Sequence, residues 1–172
     1  MKKVLITGAT SGIGYATLKY LVEKYEVIFT FCHNETKALE IINKYHIKGY
    51  QLDLESKESI EALVDNIDDL DILINNAAIA IDNSFEDKTY EEFSKIIQTN
   101  LTGTYYLTKL LSKKINKDGN ILFISSTNGI DTCYIESIDY DASKAGVISL
   151  MHNFAKQLAP IRVNAIAPGW VD

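Results

Sequence analysis

At 172 residues, 47% hydrophobic and 23% charged, the chain is long enough to bury one sizeable core and too apolar to be disordered. A formal net charge of −6 and the acidic stretch DLESKESIEALVDNIDDLD argue against a nucleic-acid surface, which needs clustered Lys and Arg. No run approaches the ~20 apolar residues of a membrane span, and Gly8 interrupts the first apolar run too early for a signal peptide.

The strand candidates, in chain order, are KVLIT, EVIFTF, IKGYQL, LDILIN, GNILFISS and IRVNAIA, short runs rich in β-branched residues. Between them the periodicity predicts helices over 13–24, 36–45, 57–66, 90–114 and 139–158. Several strands are apolar on both faces, which suits parallel strands covered by helices on either side. The expected fold is therefore a doubly wound α/β sheet in three layers, α/β/α. No repeat, low-complexity tract or linker divides the chain, so residues 1–172 are read as one domain.

The first strand runs into LITGATSGIGYA, with glycines at 8, 12 and 14 leading into the first helix. A phosphate reaching such a turn meets backbone N–H groups and the positive end of a helix, with no side chains in the way. Glycines there can also serve packing alone. The turn lacks the Lys-Ser/Thr ending of a nucleotide-triphosphate loop, so a redox dinucleotide is the better fit than phosphoryl transfer. Cys32 and Cys133 lie far apart, and His33, His46 and His152 are dispersed. Neither set has metal-ligand spacing, and a reducing cytoplasm is expected.

Near the other end, YDASKAG places Tyr140 and Lys144 one helical turn apart on a shared face. Alone, the pair is equally an amphipathic helix with a solvated lysine. An ordinary tyrosine titrates near pH 10, and lowering it by about three units takes ~4 kcal/mol of preference for the phenolate. A neighbouring cation is one source of that preference. Tyr134, in CYIESI, has Ile138 four residues on and therefore no such partner.

With TGATSGIG and YDASK both present, the chain resembles the classical short-chain dehydrogenase/reductase family. Asp53-Leu54, NNAA at 75–78, Asn100, ISS at 124–126 and IRVNAIAPG ending at Gly169 follow in the family's order, covering essentially the whole chain. The resemblance implies a Rossmann-type sheet and a catalytic tetrad of Asn100, Ser126, Tyr140 and Lys144. In that scheme Tyr140 gives a proton to the substrate oxygen and Ser126 a hydrogen bond. Lys144 supports the phenolate and the nicotinamide ribose, and Asn100 holds a water linking the lysine to solvent, although a capped or bulged helix would also account for Asn100. Ser126 is preferred to Ser125, which strand alternation turns to the opposite side.

For the cofactor, the resemblance implies contacts from Gly8, Thr10, Ser11, Gly12, Ile13 and Gly14 of the turn, and from His33 and Asn34 after the second strand. Asp53 and Leu54, Asn76, Ala77 and Ala78, and Pro168 and Gly169 complete the set with Tyr140 and Lys144. Phe31 stands where NAD-binding members carry an acid, so NADP is favoured over NAD. His33, Asn34 and Lys37 are available to the 2′-phosphate, although a helix cap starting at Asn34 explains them equally.

Three features depart from the family. The segment from Ser126 to Tyr140 is one residue longer than usual, Ala78 replaces a glycine, and the sequence stops at APGWVD, before the family's lid and last strand. The expected activity is hydride exchange between a nicotinamide cofactor and a carbonyl or secondary alcohol, most like 3-oxoacyl-(acyl-carrier-protein) reductases or sugar and ketone reductases. The expected assembly is a homo-dimer or homo-tetramer, the apolar faces of residues 101–111 and of the Tyr140 helix serving core and interface together. The rival expectation is a dinucleotide-binding or interaction protein that has lost turnover through truncation.

Overall fold

The computed structural model describes residues 1–171; Asp172, the last residue of the expected domain, lies outside the described residues. All six expected strands form. They are β1 (Lys3–Ile6), β2 (Glu26–Phe31), β3 (Lys48–Gln51), β4 (Leu70–Asn75), β5 (Ile115–Ile124) and β6 (Arg162–Ile166). They pair in parallel in the order β3-β2-β1-β4-β5-β6. The order reverses between β1 and β4, and in such sheets ligands bind beyond the carboxyl ends of the strands at that point.

Strand alternation divides the core. Leu5, Leu73, Ile121 and Phe123 join one cluster with Leu63, Leu107, Leu111, Val147 and Phe154. On the other face, Val4, Ile6, Phe29 and Ile74 pack with Leu18 and Ile41. This is why β1 and β4 read as continuous apolar runs: both faces are covered. Each such side chain contributes roughly 1.5–3 kcal/mol on burial.

Five of the six helices, α1 (Gly12–Leu21), α2 (Glu35–Tyr45), α3 (Lys57–Asp65), α4 (Tyr90–Ile97) and α6 (Ile138–Gln157), begin within a residue of expectation. Ser56 caps α3, and Thr89 caps α4 in a reciprocal box with Glu92. The helix expected over 90–114 is not continuous. After α4 the chain makes a π-helical turn, Gln98–Gly103, continues as α5 (Thr104–Leu111) and ends in a 3₁₀ turn, Ser112–Lys114. The positions this turn buries, Thr99, Asn100 and Gly103, are polar or small, so apolar periodicity does not reveal it. Gly103 lies hard against β3's exit, where a β-carbon would stand 2.1 Å from the Leu54 carbonyl oxygen.

β5 also starts earlier than expected, because Ile115 pairs with Leu70 across a register shift. On the α4–α5 and α6 faces Leu107, Leu111, Val147 and Phe154 are core, whereas Tyr90, Phe93 and Tyr105 remain exposed. No helix among the described residues is long and apolar enough to cross a membrane.

Candidate active site

The glycine-rich turn is held open from below by residues outside the motif. Thr7 Oγ1 accepts the N–H groups of Asn76 and Ala77 at 3.0 and 2.9 Å, and Asn76 Nδ2 donates to the carbonyls of Thr7 and Gly8 at 2.9 and 3.0 Å. These bonds staple the ends of β1 and β4 together at the switch point. Thr7 was not singled out in the sequence; its place between strand and glycine was the only signal.

Gly8 and Gly12 have φ of +65° and +48°, a region that side chains disfavour. A β-carbon on Gly14 would sit 2.4 Å from the Gly8 carbonyl oxygen and 2.5 Å from Asn76 Nδ2, whereas one on Gly12 meets nothing within 4 Å. Ser11 makes no side-chain cap bond to α1, whose first turn carries no acid. The first turn of α1 therefore presents the positive end of its dipole to a wide cavity of about 1150 Å³, whose carboxylates, Asp53 and Glu55, come from beyond β3. A dinucleotide pyrophosphate fits this cradle.

That cavity gathers nearly every residue named from the sequence. Gly8 and the run from Thr10 to Gly14, His33 and Asn34, Asp53 and Leu54, Asn76 to Ala78, Pro168 and Gly169 line it, together with Ser126, Tyr140 and Lys144. Asn34 is the N-cap of α2, accepting the Lys37 N–H at 3.1 Å, and the Lys37 ammonium pairs with Glu40 at 2.8 Å. The cap reading thus holds for Asn34, and Lys37 is turned away from the cavity lining toward its own helix.

Asn100 stands behind the wall. It is 2% exposed in the π-helical turn, its Oδ1 accepting the Ile79 N–H at 2.9 Å while Nδ2 donates to the Ile79 carbonyl at 2.8 Å and to Ser143 Oγ at 3.2 Å. Its side chain is thus spent on protein partners. π-bulges often mark functional sites.

At the start of α6 the Lys144 ammonium lies 5.4 Å from the centre of the Tyr140 ring and donates to the Ile124 carbonyl at 2.8 Å. Burial pushes the Lys144 ammonium down to about 8. For Tyr140, burial pushes the phenol above the ordinary value, outweighing the Ser126 hydroxyl that lowers it, while the Asp141 carboxylate raises it further. In the chain alone, desolvation of the phenolate exceeds the help it gets. Ser125 is turned aside, its hydroxyl donating to the Lys144 carbonyl at 2.9 Å.

A smaller cavity of about 360 Å³ adjoins the large one and shares Ala78, Ala80, Ser126, Tyr140, Gly169 and Trp170 with it. Its outer wall is the segment after Ser126, organised by Asp141. That carboxylate accepts from Asn128 Nδ2 at 2.7 Å, Ser137 Oγ at 2.9 Å and the Tyr134 N–H at 3.1 Å. Tyr134 donates its hydroxyl to Glu136 at 3.0 Å and packs edge-on against Trp170, which lines the same wall. Asp141 and Trp170 were not recognised in the sequence, since a single aspartate and a single tryptophan carry no spacing signal.

A family profile described as short chain dehydrogenase matches residues 2–172. A 3-oxoacyl-[acyl-carrier-protein] reductase, FabG, of Aquifex aeolicus is 38% identical over 185 aligned residues, taking in 99% of this chain and 74% of that protein. A tropinone reductase homologue of Arabidopsis thaliana is 36% identical over 181 residues, with 97% of this chain and 68% of that one covered. Among solved structures, a dehydrogenase/reductase from Sinorhizobium meliloti 1021 superposes with a TM-score of 0.93 at 26% identity, over 99% of this chain and 73% of its own. BdcA, crystallised in complex with NADPH, shares the fold with a TM-score of 0.93 at 24% identity, over 99% of this chain and 71% of that one.

Proposed function

Because the chain belongs to the short-chain dehydrogenase/reductase family and is an NAD(P)-dependent oxidoreductase, we propose that it uses NADPH to reduce the ketone of a 3-oxoacyl thioester, carried on acyl-carrier protein, in the cytoplasm. The observation that carries this reading is the meeting of two cavities at Ser126 and Tyr140: one is large enough for a dinucleotide, the other for a small carbonyl group. When bound, the dihydronicotinamide supplies the hydride that adds to the carbonyl carbon.

The rest of the chemistry belongs to the chain's own side chains. Negative charge develops on the carbonyl oxygen, and the Tyr140 hydroxyl transfers its proton there to complete the alcohol. The Ser126 hydroxyl donates a hydrogen bond to the same oxygen. Lys144, cationic below about pH 8, stands close enough to Tyr140 to stabilise the phenolate left behind. Burial that raises the Tyr140 phenol keeps it protonated as an acid until substrate arrives.

The NADPH preference is supported by the exit of β2. Residues 31–34 (Phe31, Cys32, His33, Asn34) border the cavity without a carboxylate to repel a 2′-phosphate. Titration with NADPH and NADH, followed by dihydronicotinamide fluorescence, tests this directly. NADPH is expected to bind about tenfold tighter, and His33→Asp to reverse the order. Tighter binding of NADH by the unaltered chain would overturn the NADPH assignment.

A further inference from the structure

The mechanism makes no use of the one ion pair, among the described residues, whose two side chains are both almost wholly buried. Lys88 Nζ and Asp139 Oδ2 lie 3.1 Å apart, with side chains 5% and 0% exposed. Oδ2 has no aligned hydrogen bond, so the contact is an ion pair, and the ammonium donates instead to the carbonyl of Ile81. The other carboxylate oxygen, Oδ1, accepts the backbone N–H of Tyr140 at 2.9 Å. Burying two charges is costly and seldom stabilises a fold by itself, so the pair calls for another reason.

That reason lies in what its two ends hold. Ile79, Ala80 and Ile81 line the large cavity. From Ile79, a chain of bonds passes through Asn100 to Ser143 Oγ, which donates to the Tyr140 carbonyl at 2.7 Å. From Ile81, a second chain passes through Lys88 and Asp139 to the Tyr140 N–H. Both backbone polar groups of Tyr140 are thereby tied to the two ends of one three-residue strip of cavity wall. Lys88 also immediately precedes Thr89, the cap of α4, so the pair joins the start of that helix to the start of α6.

We propose that Lys88 and Asp139 are positioning residues that hold Tyr140 in register with the cofactor-cavity wall, acting on the chemical step rather than on cofactor binding. The proposal rests on the assignment of Tyr140 as proton donor. Removing one partner leaves a buried charge unpaired and threatens the fold. The informative variant is therefore the neutral double, Lys88→Met with Asp139→Asn, in which an amide oxygen still accepts the Tyr140 N–H.

With NADPH and an acetoacetyl thioester, the double variant is expected to keep the unaltered chain's melting temperature and NADPH dissociation constant while kcat falls about 100-fold, the scale of a misplaced reacting group. The independent readout is ¹³Cζ-tyrosine NMR, with the Tyr140 resonance assigned by Tyr140→Phe. It is expected to move in the double variant while that of Tyr45, packed on the other face of the sheet, stays in place. A double variant with unaltered kcat and an unmoved Tyr140 resonance would overturn the proposal, as would a kcat loss matched by equal losses of stability and NADPH binding. Should the unaltered chain reduce no carbonyl compound, the reductase reading fails by itself, and the Tyr140 resonance alone decides whether the pair positions that residue.

Discussion

The glycine-rich cradle and the corner around Tyr140 lie in one cavity and are built in opposite ways. The cradle is local: one turn from Gly8 to Gly14 supplies backbone N–H groups and absent side chains, and Thr7 and Asn76 brace it from beneath. The corner is assembled from distant segments, with Ser126 beyond β5, Tyr140 and Lys144 on α6, and Asn100 behind them in the π-helical turn. A cradle of backbone fails sterically where an added β-carbon has no room, as at Gly14, taking local stability with it. A corner of side chains fails chemically, one role at a time, with the fold left standing.

The largest expected effect is in the corner. Tyr140→Phe should lower the single-turnover rate of carbonyl reduction about 10³-fold while NADPH binding persists, the range for loss of a general acid. Equal losses of rate and binding would erase the contrast between the two regions.

Next comes Lys144, whose ammonium is pushed from the ordinary 10.5 to about 8 by burial. Between these values the unfolded chain holds a proton that the folded chain has released, so the lysine's contribution to stability rises with pH across that window. Below about pH 8 both states are protonated and the burial penalty is present in full. Denaturant melts of the unaltered chain and of Lys144→Met should therefore differ by about 3 kcal/mol more in favour of lysine above pH 10.5 than below pH 8. A difference independent of pH would mean that the ammonium is solvated.

The adjacent serines give a finer contrast within the corner. Ser126→Ala removes a donor to the developing oxyanion and should cost about 10²-fold in kcat. Ser125→Ala loses only the bond to the Lys144 carbonyl and should cost about 1 kcal/mol of stability with kcat retained. The same logic divides the cradle's glycines, read by thermal melts. Gly14→Ala forces contacts of 2.4 and 2.5 Å and should destabilise by about 2 kcal/mol. Gly12→Ala has open space and only its positive φ to contend with, costing about 1 kcal/mol.

The two regions were also unequally readable in the sequence. The glycine turn announced itself because its residues are consecutive and its chemistry is backbone chemistry, and the central strands β1, β2 and β4 because burial on both faces leaves long apolar runs, whereas the edge strands β3 and β6 are shorter on apolar residues and more exposed. Tyr140 and Lys144 were readable from one helical turn of spacing. The upward shift of Tyr140 was not, because it depends on how deeply α6 is covered by elements far away in the chain. The π-helical turn was open only as a bulge that would explain Asn100, and apolar periodicity could not decide it, since the positions the turn buries, Thr99, Asn100 and Gly103, are polar or small. The Lys88–Asp139 pair joins positions that only the packing of α4 against α6 brings together.

The proposed function turns on one step, the passage of hydride from the nicotinamide cofactor to a carbonyl carbon at the junction of the two cavities. It is tested most directly by incubating the chain with NADPH deuterated at the transferring position of C4, offering an acetoacetyl thioester, diacetyl and a cyclic ketone, and analysing the products by mass spectrometry. The unaltered chain is expected to yield an alcohol carrying one deuterium on its carbinol carbon, and Tyr140→Phe none within the same time. Cofactor that binds tightly yet delivers no label to any of the three carbonyl compounds would contradict the proposed function.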